Sequence, residues 1–311
     1  MHKYSYNPEI DEDKKPLFDV LLDLVEVFKQ LCEKHDLTYF AVGGTLLGAV
    51  RHNGFIPWDD DVDLGMMRKD YNRLLELIET EELPYPYRFL TPLTDPSYSK
   101  GLIRLTNVNT TAISINTVPY NHNKGIFIDI FPVDSVPDNK WKAFLFKSEL
   151  RLCSNLRVIC SRYNSNLGTV GLSRLTCAGY RLLLPLLKHK LITMEKMFRI
   201  TNRVASRYEG KDTKRVGQVT FSTRSRLIFD RSIFSTIESH RFESIEINIP
   251  AGYDAFLSHQ YGNYMLEVKE ASFHGNTCYD VNTPYPEYFN QHKKQLYTEW
   301  KEYIRRKKRK K

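Results

Sequence analysis

The strongest constraint on this chain is a glycine pair that closes a short apolar run and is followed closely by a burst of carboxylates. Gly43-Gly44-Thr45-Leu46-Leu47-Gly48-Ala49-Val50-Arg51 leads through Gly54 and Pro57 into Asp59-Asp60-Asp61-Val62-Asp63. Leu37 to Val42 is short, aromatic and β-branched, so it reads as a strand feeding the glycine turn, with a helix from about Thr45 to Val50 behind it. Backbone N–H groups at the positive end of such a helix, with the Thr45 hydroxyl, suit phosphate oxygens. Clustered carboxylates suit a hard divalent cation. Together they predict a metal-dependent phosphoryl-transfer site; the plain alternative is an ordinary strand-to-helix turn beside a solvated acidic loop.

Asp61-Val62-Asp63-Leu64-Gly65-Met66 alternates, which predicts a strand with Asp61 and Asp63 on one face. Gly125–Phe131 alternates Ile126, Ile128 and Ile130 against Phe127, Asp129 and Phe131. Asp129 is therefore the candidate third ligand, beside Asp61 and Asp63, for Mg²⁺ or Mn²⁺. Three such carboxylates repel one another without a cation. Asp59-x-Asp61-x-Asp63 also resembles the opening of an EF-hand loop, but Gly65 falls at loop position 7 rather than 6 and Asp70 replaces the bidentate Glu at position 12. Arg51, Arg104 and Lys124 are candidates to neutralise a diphosphate, against the commoner role of a structural cation.

Residues 16–35 carry apolar side chains at three-then-four spacing and predict an amphipathic helix. Residues 68–79 look helical, and strands are expected at Gly101–Asn107, Thr111–Thr117, Arg215–Ser222 and Phe242–Ile249. The expected fold class is α/β (α+β), a mixed sheet flanked by helices. Its expected organisation is a core over 1–137, a leucine- and arginine-rich helical insertion over 138–214, a return to the core over 215–285, and an amphipathic basic tail over 286–311. The five cysteines include no C-x-x-C pair, which argues against a disulfide framework or thiolate zinc site. No secretory h-region opens the chain, and Leu182–Leu187 falls far short of the roughly 20 apolar residues of a membrane span. The net charge of +8 is concentrated at Arg305–Lys311, so a basic surface for duplex nucleic acid is not indicated. Phe289, Leu296, Trp300 and Tyr303, at helical spacing before that basic end, suit an anionic membrane surface, where each Lys or Arg contributes about 1 kcal/mol.

The block Gly43-Gly44-Thr45-Leu46-Leu47-Gly48-Ala49-Val50-Arg51-His52-x-Gly54-Phe55-Ile56-Pro57-Trp58-Asp59-Asp60-Asp61-Val62-Asp63 closely resembles the defining block of the LicD family, whose eukaryotic relatives include fukutin and the fukutin-related protein. The likeness continues in Arg68-x-Asp70-Tyr71, Ile128-Asp129-Ile130-Phe131-Pro132-x-Asp134 and Ile249-Pro250-x-x-Tyr253-x-x-Phe256-Leu257-x-x-x-Tyr261-Gly262-x-Tyr264-Met265. The resemblance implies a nucleotidyltransferase-type fold in which Asp61, Asp63 and Asp129 bind divalent metal, with Asp59 completing the pattern. It implies transfer of a phospho-alcohol, commonly phosphocholine from CDP-choline, onto a sugar hydroxyl of a cell-surface glycan such as lipopolysaccharide, capsule or teichoic acid, with release of CMP. His274 stands out among the histidines only through this resemblance. The block Leu266–Phe273 before it lacks the prolines and arginine usual in similar proteins, which leaves the transferred group open. The implied setting is cytoplasmic, peripheral at the inner face of the plasma membrane, near a glycan or lipid-linked glycan acceptor and without nucleic acid. Two rival readings are a nucleotidyltransferase acting on a nucleic-acid end and a non-catalytic metal-binding scaffold.

Overall fold

The computed structural model describes residues 12–165, 167–170, 174–268 and 277–309. Helix α1 (Lys15–Lys34) precedes β1 (Phe40–Ala41), α2 (Gly43–His52), β2 (Asp63–Met67), α3 (Arg68–Thr80), β3 (Tyr87–Leu90), β4 (Ile103–Asn107), β5 (Thr111–Ser114) and β6 (Ile126–Val136). Then come α4 (Lys140–Asn164), α5 (Arg174–Lys188), α6 (Met194–Ala205), β7 (Arg215–Gly217), β8 (Ile228–Asp230), β9 (Ile237–Phe242), β10 (Ile245–Pro250), α7 (Tyr253–Tyr261), β11 (Thr277–Asp280) and α8 (Tyr285–Arg309).

The main sheet runs β1-β2-β6-β4-β3, and the far end of β6 continues into β7 and β8. Strands β2 and β6 are parallel, whereas β4 and β7 are antiparallel to β6. This is the expected mixed α/β architecture, with β6 as its spine. Helix α1 has Pro16 in its first turn, where no intrahelical N–H is needed, and buries Phe18, Leu21, Val25 and Phe28. That stripe lies over β6 and β4 and forms one continuous core with them. Each such side chain contributes roughly 1.5–3 kcal/mol through burial.

Several elements differ from the sequence reading for local reasons. Strand β1 is shorter than Leu37 to Val42 because it pairs only through Phe40↔Gly65 and Ala41↔Leu64. A Cβ on Gly65 would lie 2.7 Å from the Phe40 ring, so glycine permits this close strand approach. Helix α2 begins at Gly43 itself, so the glycine pair forms its first turn instead of preceding it. Asp61 lies just before β2, which starts at Asp63. The expected strand over Phe242–Ile249 is mostly β10, which starts at Ile245, after the end of β9 at Phe242 and a tight turn with Glu243 at φ 54°.

The helical stretch is present as α4, α5 and α6. Their cluster of Ile159, Cys160, Tyr180, Leu187, Met194 and Met197 joins the sheet through Val136, Ala143, Phe146 and Ala205. The polar link is fully buried. Arg68 pairs with Asp134 on β6, its Nε donating to Asp134 Oδ1 at 2.7 Å, and its Nη1 donates to Asn202 Oδ1 on α6 at 2.8 Å. Thr220 closes the network by donating from Oγ1 to Asp134 Oδ2 at 2.7 Å.

The amphipathic tail also differs. In α8, Tyr285 and Leu296 are buried against Ile113 and Val118, with Phe289 and Trp300 packed on the same cluster. The apolar face expected to meet a membrane is therefore covered by β5 and its neighbours, while Arg305, Arg306 and Lys307 are exposed. Among the described residues no helix is long and apolar enough to cross a membrane.

Removing Arg68 would strand the buried Asp134 carboxylate. Arg68→Ala should therefore lower unfolding free energy by about 3–5 kcal/mol in urea denaturation, and Arg68→Met with Asp134→Leu should recover most of it.

Candidate active site

The parallel register sets Asp63 directly beside Asp129, and the antiparallel register sets Asp129 directly beside Arg104. Side chains at paired positions share a face of the sheet. One row across β2, β6 and β4 thus reads carboxylate, carboxylate, guanidinium. Arg104 donates from Nε to Asp129 Oδ1 at 2.5 Å and from Nη2 to Asp129 Oδ2 at 3.2 Å, with its guanidinium carbon 3.4 Å from the Phe127 ring centroid. Its guanidinium is committed to Asp129, so it neutralises the protein's own carboxylate.

The strand position of Asp63 is held from two sides. Its N–H donates to Thr45 Oγ1 at 2.8 Å, and its carbonyl accepts from Val42 N–H at 3.1 Å. The Thr45 hydroxyl therefore holds the main chain of Asp63 in place. Gly43 has φ +58°, and a Cβ there would meet Asp63 Oδ2 at 3.4 Å; a Cβ on Gly44 would meet Asp59 Oδ2 at 2.5 Å. The first turn of α2 thus lies against two carboxylates, where the positive helix end offsets their charge.

Asp59, Asp60 and Asp61 each offer an oxygen within 4.8 Å of the others. That trio differs from the expected set of Asp61, Asp63 and Asp129. Electrostatics joins the two sets. Burial, then Asp63, Asp59, Asp60 and Asp129, pushes the Asp61 carboxyl well above its usual range. Burial, then Asp129 and Asp59, does the same to Asp63, while Lys100 and Arg104 oppose it. Asp60 Oδ1 is buried without a hydrogen-bond partner. A crowded carboxylate set with an orphaned oxygen fits a hard divalent cation. Asp61, Asp63 and Asp129 are the candidate ligands; each Asp129 oxygen accepts one bond from Arg104 and keeps a second lone pair.

The acidic loop is anchored at its start by the hairpin. Phe55 N–H donates to Glu243 Oε1 at 2.9 Å, and Glu243 N–H donates to the Asn53 carbonyl at 2.7 Å. A Cβ on Gly54 would lie 1.9 Å from Glu243 Oε1, which explains glycine there.

The other predicted cations are placed elsewhere. Arg51 donates from Nη1 to the Tyr264 carbonyl at 2.9 Å and ties the end of α2 to the segment after α7. Lys124 is a further correction: its Nζ donates to the Tyr120 carbonyl, the His122 carbonyl and Tyr285 Oη, beneath α8. All its N–H donors are satisfied, so it anchors the C-terminal helix. His274 lies outside the described residues.

Sequence reasoning missed Lys100 and Tyr261. Arg104 and burial lower the Lys100 pKa, while Asp129, Asp63 and Asp61 raise it, which places this lysine in the field of the cluster. Burial, then Asp63, Asp59 and Asp61, raises the Tyr261 phenol above its usual value. Tyr261 sits in the quoted Tyr-Gly-x-Tyr-Met block, a signal that could have singled it out. Lys100 carries no such signal.

Comparisons with known proteins agree with this region. The family described as LicD/FKTN/FKRP, nucleotidyltransferase domain, matches residues 36–154. The lipopolysaccharide cholinephosphotransferase LicD of Haemophilus influenzae is 26% identical over 250 residues, covering 79% of this chain and 89% of that protein. An uncharacterized protein of Rickettsia prowazekii is 33% identical over 132 residues, 42% of this chain and 43% of its own. Human ribitol 5-phosphate transferase FKRP is 47% identical over 45 residues, which is 14% of this chain and 9% of that protein.

Two outcomes follow. Millimolar Mg²⁺ or Mn²⁺ should raise the melting temperature of the wild-type chain. Asp61→Asn or Asp63→Asn should raise the metal-free value by relieving repulsion and lose the metal-induced rise. An unmoved wild-type melting temperature would count against the cation. Lys124 is 4% exposed, and burial pushes its pKa down to about 7 although Asp95 pulls it upward. An unfolded lysine keeps its proton to about pH 10.4. Between those values the unfolded chain binds more protons, so stability from this group rises as pH increases from about 7 toward 10. Urea midpoints should show that rise in wild type and a flatter profile in Lys124→Met.

Proposed function

We propose that this chain, whose residues 36–154 match the LicD/FKTN/FKRP nucleotidyltransferase domain, transfers a phospho-alcohol, phosphocholine from a CDP-alcohol, onto a sugar hydroxyl of a surface glycan with release of CMP. The reading is carried by one observation, the Asp63–Asp129–Arg104 row beside the first turn of α2. The name of the Haemophilus influenzae relative supports choline phosphate as the group and lipopolysaccharide as the acceptor. The name of the FKRP relatives supports a wider range of phospho-alcohols in the family.

Asp61, Asp63 and Asp129 are proposed to hold a divalent cation, which when bound would neutralise donor diphosphate charge and orient the transferred phosphorus. The chain's own part is positioning. Thr45 and Val42 fix the main chain of Asp63, and Arg104 pins Asp129 in the same row. Glu243 holds the Phe55 end of the acidic loop. Such preorganisation supplies most of the catalysis in phosphoryl transfer, where little covalent chemistry falls to the protein. The acceptor hydroxyl needs a proton acceptor. Asp129 is held on both oxygens by Arg104, so Asp59, whose Oδ2 lies over Gly44, is the proposed base. The exposed Arg305, Arg306 and Lys307 at the end of α8 are proposed to meet an anionic membrane surface near a lipid-linked acceptor.

The test is CMP release with Mg²⁺ across CDP-choline, CDP-ribitol and CDP-glycerol, each with a glycan acceptor. One donor should be turned over, and Asp61→Asn and Asp63→Asn should each lower kcat by about a hundredfold or more with the fold intact by circular dichroism. Full activity in either variant would remove the assignment, and chelation of the metal should stop release in wild type.

A further inference from the structure

A second concentration of charge lies next to the acidic row and is of opposite sign. The loop leading into β4 faces α4 across a cavity of about 160 Å³. Lys100 and Gly101 line it from the loop, Ser154 and Arg157 from α4, and Thr220 and Phe221 from the segment after β7. No carboxylate is among its lining residues.

Arg157 is the unusual member. It is 6% exposed, and its Nη1 has no hydrogen-bond partner. The titratable groups that act on its charge are Tyr71, Cys153 and Tyr98, none of them a carboxylate. Contrast Arg68, fully buried, which has Asp134, Asn202 and Thr220. A buried guanidinium without a counter-charge is costly to keep, and in native proteins such a group calls for an explanation. The loop is shaped around it: a Cβ on Gly101 would fall 1.3 Å from Arg157 Nη1, so the backbone lies directly on the guanidinium.

Lys100 connects this cavity to the acidic row, since it faces the cavity and also lies in the field of Asp129, Asp63 and Asp61. Sites for drug-sized ligands usually measure roughly 300–1,000 Å³. This cavity is smaller and suits a compact anion. The Arg157 guanidinium, the Lys100 ammonium and the Ser154 hydroxyl that line it match the oxygens of a tetrahedral phosphate.

We propose that this cavity is an anion subsite that takes a phosphate group of a substrate, held by buried Arg157 and by Lys100 beside the carboxylates. Naming the occupant as a substrate phosphate rests on the phosphoryl-transfer reading; the binding itself does not. The phosphate belongs either to the donor diphosphate or to a phosphorylated acceptor.

The test uses the full chain, metal-free, titrated with inorganic phosphate against chloride at matched ionic strength, followed by calorimetry and melting temperature. Phosphate should bind and raise the melting temperature of wild type. Arg157→Met should melt no lower than wild type without phosphate, because an unpaired buried cation has been removed, and should bind phosphate about tenfold more weakly or worse. Gly101→Ala retains every charge but displaces the guanidinium, and should weaken phosphate similarly. Asp63→Asn should not weaken it, so a failed transferase reading and a failed subsite give different results. Where turnover is measurable, inhibition by phosphate competitive with the donor assigns the donor diphosphate, and inhibition competitive with the acceptor assigns an acceptor phosphate. Wild type that ignores phosphate, or Arg157→Met that melts lower and binds phosphate as wild type does, would overturn the proposal.

Discussion

The register of three neighbouring strands governs the site. Strand β6 pairs in parallel with β2 and antiparallel with β4, and that single arrangement sets Asp63, Asp129 and Arg104 abreast. A slip of one residue in either pairing would turn one member of the row to the opposite face. The register is secured by what surrounds it. Leu64, Ile103, Leu105, Ile128 and Ile130 are fully buried with the stripe of α1 over them, so a slip would drive charges into that core.

Like charges gathered in a half-enclosed place must be offset, and the fold does so in three ways. Arg104 neutralises Asp129 outright, the positive end of α2 lies against Asp59 and Asp63, and Lys100 contributes at a distance. What is left on Asp61 and Asp63 still pushes their proton affinities up. The remaining repulsion is the physical basis for proposing a cation there, and the glycines of α2 are the steric condition for bringing a helix tip so close.

Buried cations elsewhere show how one residue type serves different ends. Arg68 is paired and hydrogen-bonded on every side and joins α6 to the sheet. Lys124 is solvated by carbonyls and a phenol and holds α8 down through Tyr285. Arg157 is also buried, without the partners of the first. The helical segment therefore does more than decorate the core, since it supplies Asn202 to one network and Arg157 to the cavity beside the acidic row.

Much of this was readable in the amino-acid order. The period of residues 16–35 announced α1, the alternation around Asp129 announced β6, and the glycine pair followed by aspartates marked the site and the family the chain resembles, because these are local patterns whose cause lies within a few residues. The partners of each charge were not readable. Arg104 and Lys124 look alike in sequence as free cations, yet one faces Asp129 and the other faces carbonyls under α8. The membrane-like stripe of α8 is covered by β5, and Lys100 and Tyr261 come into the field of the carboxylates from segments distant along the chain. Sequence determined which elements form and where the acidic cluster lies along the chain. Tertiary structure decided which charges are paired and which are left unmet, because desolvation and ion pairing depend on neighbours that only packing and strand register bring together.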